Sequence, residues 1–176
     1  MLTWAENIAK QIIARRPDKE EYVCAAGISP SGSIHIGNFR DIATSYFVVQ
    51  ALRGLGKKAK LLFSWDEYDR LRKIPVNVSA VRDDMEQYVG KPYCDVPNPF
   101  GNERDSATYA EYFEKEFMES IGAFGIEMDY RYQSQMYRSG KYTDLILKAV
   151  AMRKEIFDVL DRHRTQTATE EERNNF

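Results

Sequence analysis

Cysteine is nearly absent. The 176 residues hold only Cys24 and Cys94, far apart and in no paired spacing. That excludes a paired-cysteine zinc motif and a disulfide framework, and fits a reducing cytoplasm. No run is long and apolar enough to span a membrane. The first residues, with Trp4, Glu6 and Lys10 among them, lack the apolar stretch of a secretory signal. The expectation is a cytoplasmic chain without a membrane partner. Neither sign of charge dominates: the formal net charge is −2. A globally basic nucleic-acid binder is thereby excluded, and any such contact is left to local patches. There is no internal repeat and no low-complexity tract. Hydrophobic residues make up 43% of the chain, enough for one domain with its own core and too many for disorder.

Periodicity organises what is present. Residues 3–15 carry Trp4, Ile8 and Ile12 at helical spacing and end at Pro17-Asp18. Tyr22-Val23-Cys24-Ala25-Ala26 reads as a buried strand with Cys24 inside it. Residues 36–54 read as a helix with Phe39, Ile42, Tyr46 and Val49 on one stripe, stopped by Gly54 and Gly56. Ala59 to Ser64 reads as a second strand. Strand, helix and strand in that order predict a βαβ unit with parallel strands and a right-handed crossover. The loop after the first strand then lies at the carboxyl edge of the sheet, where open α/β folds bind ligands.

From 65 to 104 the pattern weakens. Pro75, Gly90-Lys91-Pro92 and Pro97-Asn98-Pro99 predict an irregular excursion. Residues 106–122 return to helix, with Tyr109, Phe113, Phe117 and Ile121 on one side. Ile126 to Tyr132 alternates and reads as a third strand. One long helix is expected after Gly140, with Leu145, Ala149, Met152, Ile156 and Leu160 in register. The tail from Thr165 to Phe176 is polar and acidic and is expected to be ill-ordered.

The chemistry concentrates in Gly27-Ile28-Ser29-Pro30-Ser31-Gly32-Ser33-Ile34-His35-Ile36-Gly37-Asn38. A Gly/Ser/Pro loop that opens a helix leaves backbone N–H groups and a positive dipole end for a phosphate, and His35 adds a side-chain donor. The segment resembles the H-I-G-H signature of class I aminoacyl-tRNA synthetases, written here His35-Ile36-Gly37-Asn38. A longer stretch is similar to class I lysyl-tRNA synthetases: Phe39-Arg40 after the signature, then Phe63-Ser64-Trp65-Asp66-Glu67-Tyr68-Asp69-Arg70-Leu71-Arg72-Lys73-Ile74-Pro75, then Val96-Pro97-Asn98-Pro99-Phe100-Gly101 before Tyr109-Ala110-Glu111.

The resemblance implies an α/β fold: a Rossmann-type (HUP-like) parallel sheet with flanking helices and a helical insertion. Residues 1–164 would form the first half of a class I catalytic domain, and 165–176 a tail or the start of a connecting segment. It implies ATP-dependent activation of lysine to lysyl-adenylate and transfer to tRNA(Lys), with Mg²⁺ accompanying ATP and no tightly bound metal. His35 and Asn38 are the catalytic candidates. Ser31, His35, Gly37 and Asn38 are the ATP-binding candidates, and Gly27, Ser29 and Asp66 the lysine-binding ones. Asn38 keeps an amide donor where many relatives carry a second histidine. His35 and the amides near Gly37 are expected to be free and to face a cleft.

Read without the resemblance, His35 is a local helix cap, Gly37 a packing glycine, and Ser29-Pro30-Ser31-Gly32 a turn. The three carboxylates of Asp66, Glu67 and Asp69 suit an ammonium group or a metal; equally, Trp65 packs and Asp66 caps the loop. Asp69-Arg70-Leu71-Arg72-Lys73 reads as a solvated face with local ion pairs, and His163 as a helix-end cation. Residues 102–108 depart from the pattern of the family. No K-M-S-K-S-type loop occurs in the 176 residues, so the chain is expected to be a truncated form, inactive by itself, with self-association through an exposed sheet edge. The alternatives are a non-catalytic nucleotide- or partner-binding module derived from a synthetase, or another nucleotidyltransferase with the same histidine-bearing helix start.

Overall fold

The computed structural model describes residues 3–101, 103–166 and 168–176. Asn102, in the expected loop of 102–108, and Thr167, in the expected tail, lie outside the described residues. The chain divides into two compact units, one ending at Ser134 and one running from Gln135 to Phe176.

The first unit is built on three parallel strands in the order β1-β2-β3: β1 (Glu21–Ile28), β2 (Lys58–Trp65) and β3 (Asp129–Tyr132). In register, Gly27 lies beside Ser64, Ile28 beside Trp65, and Trp65 beside Tyr132. α1 (Trp4–Arg15) precedes β1, α2 (Ile36–Gly54) connects β1 to β2, and α4 (Tyr109–Gly122) leads to β3. Right-handed crossovers along one sheet direction put both connecting helices on the same face. Burial along β1 and β2 alternates accordingly. Tyr22, Ile28, Leu61, Phe63 and Trp65 join Ile42, Val49, Phe117 and Ile121 in one core.

This corrects the reading of residues 22–26 as a buried run. Val23 is 51% exposed and Cys24 half-buried, because only one face of β1 is covered. Burial still pushes the Cys24 thiol above its ordinary range. α1 also differs from expectation. It buries Ala5 and Ala9, while Trp4 and Ile8 remain 53% and 39% exposed. Small residues let α1 approach α2 closely, and Trp4 meets Phe47 edge to face at 6.4 Å.

The expected irregular excursion has a core of its own. Leu71, Val78, Met85, Tyr93 and Val96 pack with Tyr109, Ala110 and Phe113 of α4. The excursion contains α3 (Val76–Ser79) and single 3₁₀ turns at Asp83–Tyr88, Tyr93–Asp95 and Glu103–Asp105. Asn98 is buried and staples its end: Nδ2 donates to the carbonyl of Ser106 at 2.9 Å, and Oδ1 accepts from Phe100 N–H at 3.0 Å. α4 starts at Tyr109 rather than 106, because Thr108 is its cap. Thr108 Oγ1 accepts from Glu111 N–H at 3.2 Å, and the Glu111 carboxylate accepts from Thr108 N–H in return.

In the second unit the single long helix is two, α6 (Thr143–Ala151) and α7 (Arg153–Asp161). Met152, at φ −100° and ψ 19°, caps both and interrupts the register. Phe157 is buried there, and Leu145, Met152 and Leu160 are exposed. The tail is ordered at its end, contrary to expectation. Thr169 caps α8 (Glu170–Asn175) in a box with Glu172, Arg173 pairs with Asp158, and Phe176 meets Phe157 at 5.3 Å.

Candidate functional site

The carboxyl end of β1 runs into the loop of residues 29–35, beside the carboxyl end of β2. Ser31 N–H donates to the Ser29 carbonyl at 2.8 Å, and the Tyr109 hydroxyl donates to the Ser31 carbonyl at 2.8 Å. The second core therefore holds the loop in place. Tyr109 is fully buried and stacks on Tyr93, with centroids 5.6 Å apart.

His35 is the N-cap of α2. Its Nδ1 accepts from Gly37 N–H at 3.1 Å, and Asn38 Oδ1 accepts from His35 N–H at 3.3 Å. An Nδ1 that accepts leaves the proton of a neutral ring on Nε2, so the exposed edge of the ring is a donor. His35 is thus the helix cap of the reading without the resemblance, on an exposed residue. The amides expected to be free are partly taken. Gly37 N–H goes to the His35 ring, and Asn38 N–H to the His35 carbonyl at 3.0 Å. The imidazole supplies the acceptor that a helix start needs. A Cβ on Gly37 would lie 2.9 Å from His35 Cε1, so glycine here makes room for the ring.

Two cavities flank the loop. His35, Ile34 and Phe39 share one of about 320 Å³ with Glu116, Ile121 and Phe124. The rings of Phe39 and Phe124 lie 4.8 Å apart. Ser29 and Ser31 share the other, about 330 Å³, with Asp69, Arg70, Arg72 and Lys73; the buried Tyr93 also lines it. A larger cavity of about 620 Å³ lies between α1 and the start of β1, at the opposite end of the strand.

The three carboxylates after β2 go three ways. Asp66 Oδ1 accepts from Ser64 Oγ at 3.2 Å. Partial burial raises the Asp66 pKa, and the charges of Asp69 and Glu67 add to the rise. Glu67 is buried and caps α5 (Gln133–Arg138): Oε2 accepts from Gln133 N–H at 3.0 Å and Oε1 from Ser134 N–H at 2.8 Å. Asp69 Oδ2 accepts from Ser29 Oγ at 2.9 Å. Among the described residues no three His, Cys, Asp or Glu side chains converge as a metal site. Trp65 packs in the core against Phe63 and Phe117.

Gly27 sits where β1 and β2 approach closely: a Cβ there would come 2.8 Å from the Ser64 carbonyl oxygen. Gly27, Ser29 and Asp66 therefore fall at the same edge of the sheet as Ser31, His35, Gly37 and Asn38. The 69–73 segment is the solvated face expected, with Asp69, Arg70, Arg72 and Lys73 exposed, but without the expected local ion pairs at its cations. Among the described residues Arg70, Arg72 and Lys73 make no ion pair, and all three line the cavity beside Ser29 and Ser31. His163 follows the end of α7, its N–H bonded to the Leu160 carbonyl at 3.0 Å.

Sequence reasoning missed Tyr109, Glu67 and Glu114. Glu114 is buried on α4, and burial pushes its carboxyl up to about 8, with Glu67 and Glu111 adding repulsion. A glutamate inside the apolar stripe of a helix was the available signal for Glu114. For Glu67 and Tyr109 the partners lie too far along the chain to be read from spacing.

Residues 2–174 match the family of tRNA synthetases class I (K). The chain is 41% identical over 164 residues to the lysine–tRNA ligase of Pyrococcus horikoshii, an alignment that takes in 93% of this chain and 30% of that protein. It is 43% identical over 165 residues to the lysine–tRNA ligase of Treponema pallidum (94% and 30%). It is 38% identical over 169 residues to that of Streptomyces coelicolor (94% and 29%). The chain spans about three-tenths of the length of these relatives.

Proposed function

The chain belongs to the class I tRNA synthetases of the (K) family, and on that premise we propose that it supplies the first part of a lysine–tRNA ligase site. The reaction is attack of the lysine carboxylate on the α-phosphorus of ATP with loss of pyrophosphate. Attack of a tRNA ribose hydroxyl on the lysyl carbonyl, with loss of AMP, follows. The observation that carries the reading is the intact helix start, with the Nε2–H of His35 held outward by the bond from Gly37 N–H to Nδ1.

In this reading the chain acts by positioning and charge stabilisation. His35 Nε2–H and the amino end of α2 meet the phosphates, with the Asn38 amide beside them. Ser31 lies on the loop that leads to them. The Phe39–Phe124 cavity offers an apolar bed to a nucleobase. Gly27, Ser29 and Asp66 receive lysine, with Asp66 on its α-ammonium; a cation there favours the ionised carboxylate. Mg²⁺ neutralises the triphosphate and is held by ATP itself.

The 176 residues alone are proposed not to charge tRNA, since the donors on this helix start are few. β1 is an outer strand of the sheet and is the proposed surface for self-association or for pairing with a further strand. No helix of the described residues is long and apolar enough to cross a membrane.

The test is ATP–pyrophosphate exchange and tRNA charging with each of the twenty amino acids. It is run on the protein as encoded and on the 176 residues alone, with size-exclusion measurements alongside. Lysine-only activity of the encoded protein is expected. Activity with another amino acid, or with a substrate other than an amino acid, refutes the reading. Nucleotide binding without turnover would favour the binding module.

A further inference from the structure

Arg70, Arg72 and Lys73 are a cluster of cations that make no ion pair among the described residues. They line a cavity of about 330 Å³ whose other wall is the Ser29–Ser31 loop, and among the described residues Asp69 is the one carboxylate that lines it. The Asp69 carboxylate already accepts the Ser29 hydroxyl. The segment that carries the cations is fixed. Leu71 between them is fully buried in the second core; its N–H donates to the Lys91 carbonyl and its carbonyl accepts from Gly90 N–H, both at 2.8 Å. Tyr93 N–H donates to the Asp69 carbonyl at 3.0 Å. The facing loop is fixed by the Tyr109 hydroxyl. With three cations and one carboxylate on its lining, the cavity carries a net positive charge that attracts an anion.

We propose that this cavity receives a phosphodiester of the tRNA acceptor end. The proposal rests on the lysine–tRNA ligase reading and deepens it. The chemistry of the site is that of phosphate: two guanidinium forks and an ammonium, with the Ser29 and Ser31 hydroxyls on the facing wall. The location favours tRNA over ATP. The cavity shares no lining residue with the one that contains His35, where the triphosphate reading places ATP. The second phosphate-bearing reactant is the tRNA, and the acceptor of the lysyl group must arrive on the lysine side of the site, where Ser29 belongs to this wall. The contacts are to backbone phosphate, so they position the acceptor end and do not read its sequence.

The experiment uses the protein as encoded and three probes: a fluorescent RNA hairpin ending in CCA, ATP, and inorganic pyrophosphate. The triple variant Arg70→Gln/Arg72→Gln/Lys73→Gln is expected to bind the hairpin about 10- to 100-fold more weakly and to show a salt-dependence slope shallower by about 2. ATP and pyrophosphate affinities are expected to stay unchanged, as is hairpin affinity in the distant Lys10→Gln variant. Hairpin affinity and slope equal to those of the wild type overturn the proposal, as does absence of hairpin binding by the wild type. Loss of pyrophosphate or ATP affinity instead reassigns the cavity to the triphosphate. Should the triple variant not fold, single Arg72→Gln and Lys73→Gln variants carry the test, each lowering the slope by about 1. If the wild type charges no lysine while hairpin binding still depends on the three cations, the enzyme reading falls and the phosphate site stands. The converse result removes the phosphate site alone.

Discussion

The ring of His35 closes over Gly37: Nδ1 accepts from Gly37 N–H at 3.1 Å, and a Cβ on Gly37 would lie 2.9 Å from Cε1. One contact therefore ends the helix and aims a donor. The two consequences can be separated by substitution.

His35→Ala removes both cap and donor. It should cost about 1 kcal/mol of stability, as for loss of a helix cap, and slow lysyl-adenylate formation by about 10²–10³-fold, as for loss of one transition-state donor. Lysine affinity should change little. His35→Asn restores a capping side chain without the imidazole, so stability should recover while adenylate formation stays slow. Stopped-flow or quench-flow activation measured beside urea unfolding checks both. Recovery of the rate in the asparagine variant would leave His35 as a cap and nothing more.

Gly37→Ala should behave in the opposite way. Alanine gains up to about 1 kcal/mol of helix propensity over glycine, and loss of the His35 cap costs about as much, so the melting temperature should stay nearly unchanged. The methyl group displaces the His35 ring, and adenylate formation should fall by about tenfold or more, a barrier change of at least about 1.4 kcal/mol. A crystal structure of the variant with the ring unmoved, or an unchanged rate, would contradict the steric role.

At Gly27 the neighbour is backbone. A Cβ would meet the Ser64 carbonyl oxygen at 2.8 Å inside the parallel β1–β2 pair, and neither strand can shift without breaking register. Gly27→Ala should cost about 1–3 kcal/mol, the range for overpacking. Gly54→Ala is the control, since nothing lies within 4 Å of its Cβ; it should be neutral or stabilising by up to about 1 kcal/mol. Equal effects of the two on the urea midpoint would refute the close-approach account.

Glu114 should make stability fall as pH rises. Its carboxyl is pushed from 4.5 up to about 8, by burial first and then by Glu67 and Glu111. Among the described residues its Oε1 has no hydrogen-bond partner. With the folded value above the unfolded one, the native state holds the proton more tightly. The contribution is complete below the unfolded value, declines across about pH 4.5 to 8, and is gone above. Glu114→Gln removes that dependence. The stability of the variant relative to the wild type should therefore climb with pH through this window. Urea midpoints at several pH values decide it, and a difference independent of pH would sink the assignment.

The β1-loop-α2-β2 unit was legible because its signals are local. Phe39, Ile42, Tyr46 and Val49 form a stripe, Gly54 and Gly56 end it, and the Gly/Ser loop marks the ligand edge. Three further helix starts carried a readable box, Thr3 with Glu6, Thr108 with Glu111 and Thr169 with Glu172. The last of them foretells an ordered end where polarity alone suggested none. Trp4 and Ile8 mislead because periodicity gives the stripe and not what covers it, and Ala5 and Ala9 make the close contact. The Glu67 bonds to Gln133 and Ser134, and the Tyr109 bond to Ser31, join positions distant in sequence, and no spacing rule reaches that far. Arg70, Arg72 and Lys73 are exposed, as the run of charges suggests, but a sequence does not show the cavity that they line.

Among the described residues the Tyr109 hydroxyl is the one side-chain anchor reaching the Ser31 carbonyl from the second core. Burial drives its pKa far above the usual tyrosine range, so it remains a donor under all ordinary conditions. Val78, Met85 and Val96 pack in the same nucleus as Tyr109, so a change in their packing bears on its position. A repacking that tilts Tyr109 would move the loop carrying Ser29 and Ser31, so the hydrophobic nucleus sets the shape of a cavity that, among the described residues, only its Tyr93 reaches directly.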